Sequence, residues 1–184
     1  MISILILLAV AVYVIHVYNR LVATRQRVSE AWSTIDTQLK RRYDLIPNLL
    51  ETVKGYKEYE KTTFEAVVKA RNAAMNATSV DVKGKAEQTL SGSLKSLFAL
   101  SESYPALKAN TLFLELQQEL VDTEDKIQAT RQFYNTVVLT YNINVETFPG
   151  NIFAKHFNFQ QAKFFEMDAD EVKAARKTPE VKFD

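Results

Sequence analysis

Phe113, Leu120, Ile127, Tyr134, Tyr141 and Phe148 stand seven residues apart without exception. Such a stripe is what a long helix needs to bury one edge against other helices. Leu116 and Val137 add apolar positions three residues on, although Thr123, Thr130 and Asn144 share that row. The stripe predicts a helix of about 39 residues, on the order of 58 Å if straight. Pro149-Gly150 ends it.

Few chain breakers interrupt the rest. The 184 residues hold four Gly and four Pro, which favours long helices over many short strands. Leu21, Val28, Trp32, Ile35 and Leu39 fall on one helical face, and residues 1–46 contain neither Gly nor Pro. Pro47 predicts a break near Leu45–Ile46, because the residue before Pro resists helical dihedrals. Asp44 would then cap a new helix running from about Pro47 to Met75. A polar stretch, NATSVDVKG, reads as a loop. A third helix follows from about Val82 to Tyr104, weakened by Gly84 and Gly92 and ended by Pro105. Four long helices with mostly short connections predict an all-α fold, an antiparallel four-helix bundle.

The chain opens MISILILLAVAVYVIHVYNRLVATRQR. From Ile2 to Val17 only Ser3 and His16 are strongly polar, and apolar residues cover every helical face. No basic side chain precedes the run, and Ala9-Val10-Ala11 would leave too short an apolar region for a cleaved signal peptide. The segment reads as a retained transmembrane helix, continuous with the first helix of the bundle. It is short, about 24 Å against about 30 Å of hydrocarbon, and Tyr18 and Arg20 can lengthen it by sitting at the interface. Arg20, Arg25 and Arg27 follow the run, so the positive-inside rule puts the N-terminus outside and the bundle in the cytoplasm. The expected division is a transmembrane segment at 1–18, a helical bundle domain at 19–160 and a C-terminal tail at 161–184.

Composition narrows the chemistry. Lys and Arg total 23 against 22 Asp and Glu, which argues against a nucleic-acid partner. There is no Cys, so thiol catalysis and Cys-ligated zinc are excluded. No phosphate-binding loop, dinucleotide fingerprint or metalloprotease motif occurs. The only two histidines, His16 and His156, lack the Glu three residues earlier that a di-iron bundle requires. The reading is a protein without enzymatic activity or cofactor.

Some residues invite a functional reading. RRYD, Arg41 to Asp44, is either an anion site at a helix junction or a helix cap flanked by solvated charges, and the second is preferred. Tyr134-Asn135 and Tyr141-Asn142 recur one heptad apart, which core packing explains better than a ligand ladder does. Beside the stripe, Glu124, Arg131 and Asn135 lie between Val121 and Val138. They are expected to be partly buried and hydrogen-bonded to the segment Arg42 to Asn48. The candidate polar network is thus Arg42, Asp44, Asn48, Glu124, Arg131 and Asn135.

Taken together, RVSEAWSTIDTQLKRRYDLIPNLLETVKGY, TEDKIQATRQFYNTVVLTYN, FPGNIFA and the closing PEVKF resemble the LemA family of bacterial membrane proteins. The resemblance covers nearly the whole chain. It implies an N-terminal transmembrane helix with a cytoplasmic helical bundle, and no established enzymatic activity or cofactor. It also implies a partner among other membrane proteins. The expected function is a membrane-anchored interaction or scaffold module on the cytoplasmic face of the cell (inner) membrane, with the lipid bilayer itself a partner and a homo-oligomer left open. The alternatives are a signal-transducing membrane protein and an enzyme with a carboxylate and Arg site.

Overall fold

A computed structural model describes residues 2–54 and 61–166. Among them every regular element is helical: α1 (Ile2–Lys54), α2 (Lys61–Asn76), α3 (Val80–Ser101), α4 (Pro105–Lys108), α5 (Thr111–Glu146) and α6 (Gly150–His156). After α6 the chain is extended to Glu166. The closing PEVKF and residues 55–60 of the expected Pro47–Met75 helix lie outside the described residues. Two compact units divide the chain. Among the described residues the first takes 2–41 and 123–164, the second 42–54, 61–122 and 165–166.

The N-terminal part of α1 is the apolar run. An 18-residue window within this helix has a mean hydropathy of 2.2 and no buried residue. A core helix would hide such a surface, so this one is left for a non-aqueous solvent. Further along, Leu21, Ala31, Ile35 and Leu39 are buried in the first unit. Leu21 clusters there with Tyr141, Val145, Ala154 and Phe159. Trp32 meets Tyr134 edge-on at 5.4 Å between ring centroids. Later residues of α5 therefore meet earlier residues of α1.

The heptad stripe is buried at Phe113, Leu120, Ile127, Tyr134 and Tyr141. Phe148 departs from it, 78% exposed, because α5 stops at Glu146 before the stripe is complete. The flanking row divides: Val138 and Val145 are buried, whereas Leu114 and Val121 are exposed.

Three expected boundaries move. The break at Leu45–Ile46 does not occur, and α1 runs through Pro47 to Lys54. Asp44 is therefore an exposed residue inside a helix and caps nothing. Proline at 47 cannot donate to the Tyr43 carbonyl one turn back, which normally makes an interior proline expensive. Here Arg71 Nε of α2 donates to that carbonyl at 2.8 Å. The NATSVDVKG stretch is mostly helix: α3 starts at Val80, where the Ser79 hydroxyl accepts from the Val82 N–H at 3.4 Å. Asp81 in the first turn complements the positive end of the helix dipole. Pro105 opens α4 instead of closing α3, at the first helical position where no N–H is missed.

α2 and α3 are joined by residues 77–79 and pack against each other in the second unit. They bury Phe64, Val67, Ala70 and Ala74 from one and Leu90, Leu94 and Leu97 from the other. Val68, next to the buried Val67, is exposed.

Candidate functional site

The second unit encloses a charged cluster. Glu87 of α3 is 0% exposed and Arg42 of α1 is 2% exposed. Arg42 Nη1 donates to Glu87 Oε2 at 3.3 Å, and Arg42 Nη2 donates to the Ser91 hydroxyl at 2.8 Å. The Tyr43 hydroxyl donates to Glu87 Oε1. Both carboxylate oxygens are thus bonded, which a carboxylate withdrawn from water requires. Arg71 ties α2 to the same turn of α1 through the carbonyl that Pro47 leaves open. RRYDLIP therefore supplies a buried cation, a buried phenol and the Tyr43 backbone carbonyl that Pro47 cannot reach. All three are used by neighbouring helices. The reading of RRYD as a cap with solvated charges fails at Arg42, whose charge is buried and paired.

Glu87 was missed from the sequence. The signal was present: Glu87, Leu90, Leu94, Leu97 and Ser101 share one helical face, so a carboxylate occupies a core position. Its basic partner, Arg42, lies on α1 with the whole of α2 between them in the chain, so the pairing depends on tertiary packing.

The remaining candidates are placed as follows. Asp44 and Asn48 are exposed on α1 and belong, with Arg42, to the second unit. Glu124, Arg131 and Asn135 are half-buried on α5 and belong to the first.

In the first unit the repeated tyrosines carry more than packing. The Tyr134 hydroxyl donates to the Lys163 carbonyl at 2.9 Å, and the Tyr141 hydroxyl donates to the Gln160 carbonyl at 2.8 Å. Asn142 closes a two-bond clamp on Ala162: its Nδ2 donates to the carbonyl at 2.9 Å, and its Oδ1 accepts from the N–H at 2.9 Å. The extended segment after α6 thus has no strand partner in this clamp. Its backbone polar groups are met by side chains of α5 instead. The ladder hinted at by FYN and TYN exists, and what it binds here is the chain's own backbone.

Burial pushes the Tyr141 phenol above its ordinary pKa, and the Arg25 guanidinium partly opposes the shift. A raised folded-state pKa favours the neutral phenol in the native protein. Its contribution to stability is therefore complete below about pH 10, the unfolded value, and is lost as pH rises from there through the folded value. Tyr141→Phe strands the Gln160 carbonyl and should cost about 1–3 kcal/mol near neutral pH. Denaturant titrations of both proteins from pH 7 to 11.5 should show this gap constant up to about pH 10 and narrowing above it.

Residues 31–183 match the model of the LemA family. The chain belongs to the LemA family. Protein LemA of Metamycoplasma hominis is 28% identical over 153 residues, covering 80% of this chain and 68% of that protein. Magnetosome protein MamQ 2 of Paramagnetospirillum magneticum is 23% identical over 175 residues, covering 81% of this chain and 64% of that protein. Magnetosome protein MamQ of Magnetospirillum gryphiswaldense is 22% identical over 190 residues, covering 89% of this chain and 70% of that protein. This chain therefore spans about two thirds of the length of these relatives. The family match includes the RRYDLIP turn, Glu87, the tyrosine ladder and the extended segment that the ladder holds.

Proposed function

We propose that this LemA-family chain is a non-enzymatic scaffold anchored in a bacterial cell membrane by a single span, with its helical units on the cytoplasmic face. The observation that carries the reading is the exposed apolar length of α1, followed on its C-terminal side by Arg20, Arg25 and Arg27. The antiparallel four-helix arrangement expected from the sequence is part of the same proposal. Absence of catalysis is supported by how the strongest polar groups are used: Arg42 and Tyr43 both donate to Glu87, and all three are buried. Another membrane protein is the proposed partner.

One observation favours signal transmission as a second reading. α1 is a single helix of 53 residues that begins with the apolar run and continues well beyond it.

Protease added to intact spheroplasts tests the topology. The expected result is an undigested chain until the cells are lysed; digestion of the helical units before lysis would reverse the orientation. Crosslinking in native membranes tests the scaffold. A discrete species larger than the chain is expected, and a chain that stays monomeric would leave the signalling reading in its place.

A further inference from the structure

Where α1 leaves its apolar run, the first unit holds a cavity of about 260 Å³. Tyr13, His16 and Arg20 of α1 form one wall. Asn144 and Thr147, with Phe148 and the start of α6, form the other. Among the described residues that line it none is acidic, and the nearby Glu146 carboxylate accepts a hydrogen bond from Gln161. The Asn144 side-chain nitrogen is buried at this wall and has no hydrogen-bond partner among the described residues. A buried amide donor left unmatched is uncommon, and a cavity lined by such a donor and by an arginine is suited to an anionic oxygen.

The position along α1 selects the anion. Residues 13–20 straddle the end of the apolar run at Val17. A run of about 24 Å is shorter than the hydrocarbon thickness, so a bilayer that matches it is drawn towards Arg20 and the cavity sits at headgroup depth. Phe148, exposed, lines the cavity from the α5–α6 junction and offers apolar surface at that level. Tyr18 packs against Phe157 at 4.9 Å between centroids, holding α6 beside the same stretch of α1. The cavity is smaller than the roughly 300–1,000 Å³ of sites for drug-sized ligands, which suits a compact charged group rather than a whole molecule.

We propose that this cavity seats the phosphate of a membrane phospholipid headgroup. Arg20 and the Asn144 amide donate to its oxygens, while the acyl chains lie along the apolar face of α1 and Phe148. The proposal rests on α1 being a membrane span. The experiment keeps the two apart by beginning with alkaline carbonate extraction of membranes. A chain released by carbonate would overturn the span reading; a chain retained leaves the lipid seat to be tested on its own.

Full-length protein in detergent micelles is then titrated with phosphatidylglycerol, with diacylglycerol of the same acyl chains, or with glycerol phosphate, and retained adducts are counted by native mass spectrometry. Phosphatidylglycerol adducts are expected to exceed diacylglycerol adducts. Arg20→Gln should lower their retention about fivefold, the worth of one basic side chain at an anionic surface. Asn144→Leu should lower it too, and Arg20, being exposed, can be changed without disturbing the fold. Equal retention of diacylglycerol, or adducts unchanged in Arg20→Gln, would overturn the proposal. Glycerol phosphate that binds as well as the lipid would also overturn it, by assigning the cavity to a soluble phosphate.

Discussion

Arg42→Met is expected to destabilise the folded protein by about 3–5 kcal/mol, as do other changes that strand one member of a buried ion pair. Glu87 is fully buried, and the substitution removes the guanidinium that faces its Oε2 while the Tyr43 hydroxyl still donates to its Oε1. Methionine keeps the apolar stem, so the loss reports the missing charge more than missing volume. The double change Arg42→Met with Glu87→Leu makes the argument specific. Removing both charges removes the desolvation penalty of each, so the double variant should recover most of the loss and can equal or exceed the parent. Denaturant unfolding of the full chain in detergent micelles measures all three variants. If Arg42→Met costs under about 0.5 kcal/mol, the range of ordinary surface changes, the pair is not closed to water as described. If the double variant is as poor as the sum of its singles, the two residues act independently and the cluster is not a cluster.

That pair also marks the limit of what the sequence makes legible. Periodicity reports which face of one helix is apolar, and it located Phe113, Leu120, Ile127, Tyr134 and Tyr141 correctly because burial repeats locally. It cannot report which residue of another helix lies opposite. Glu87 sits on an apolar face in plain sight, but its meaning depends on Arg42, forty-five positions earlier. Pro47 misleads for the same reason. Local rules end a helix there, and the cost they count is offset by Arg71, a donor twenty-eight residues away from the carbonyl it satisfies. The Ser79 cap is legible in principle, but Thr78, Ser79 and Asp81 together read equally well as loop. The ladder of Tyr134, Tyr141 and Asn142 has a partner with no side-chain pattern at all, since the clamp grips backbone atoms of residues 160, 162 and 163. Nothing in the composition of NFQQAKFFE announces an extended segment held by a helix.

The extended segment ends against α3, and two glycines of that helix should respond to alanine with opposite signs. Gly92 is exposed, with open space where a Cβ would stand. Gly92→Ala should therefore stabilise the protein by about 0.5–1 kcal/mol, the ordinary gain in a helix interior. Gly84 has the Glu166 backbone carbonyl where its Cβ would go, and the Phe165 ring lies next to it. An added methyl meets backbone, which cannot rotate away as a side chain can. Gly84→Ala should thus be destabilising even though the helix gains the same propensity. The displaced residue matters because Phe165 is 0% exposed, so pushing it out opens a cavity that the neighbouring helices fill only in part. Phe165→Ala sets the upper scale, about 3–5 kcal/mol for loss of a buried phenylalanine. Lys163 provides the readout that separates a local from a global effect. Trypsin cleavage after Lys163 should be slow in the parent and in Gly92→Ala, and fast in Gly84→Ala and Phe165→Ala at temperatures where all four remain helical by circular dichroism. If Gly84→Ala melts at or above the parent, or leaves Lys163 as protected as Gly92→Ala does, the close approach of Glu166 to α3 is wrong. Residues 158–164 would then be held by their contacts within the first unit, Tyr134, Tyr141 and Asn142 among them.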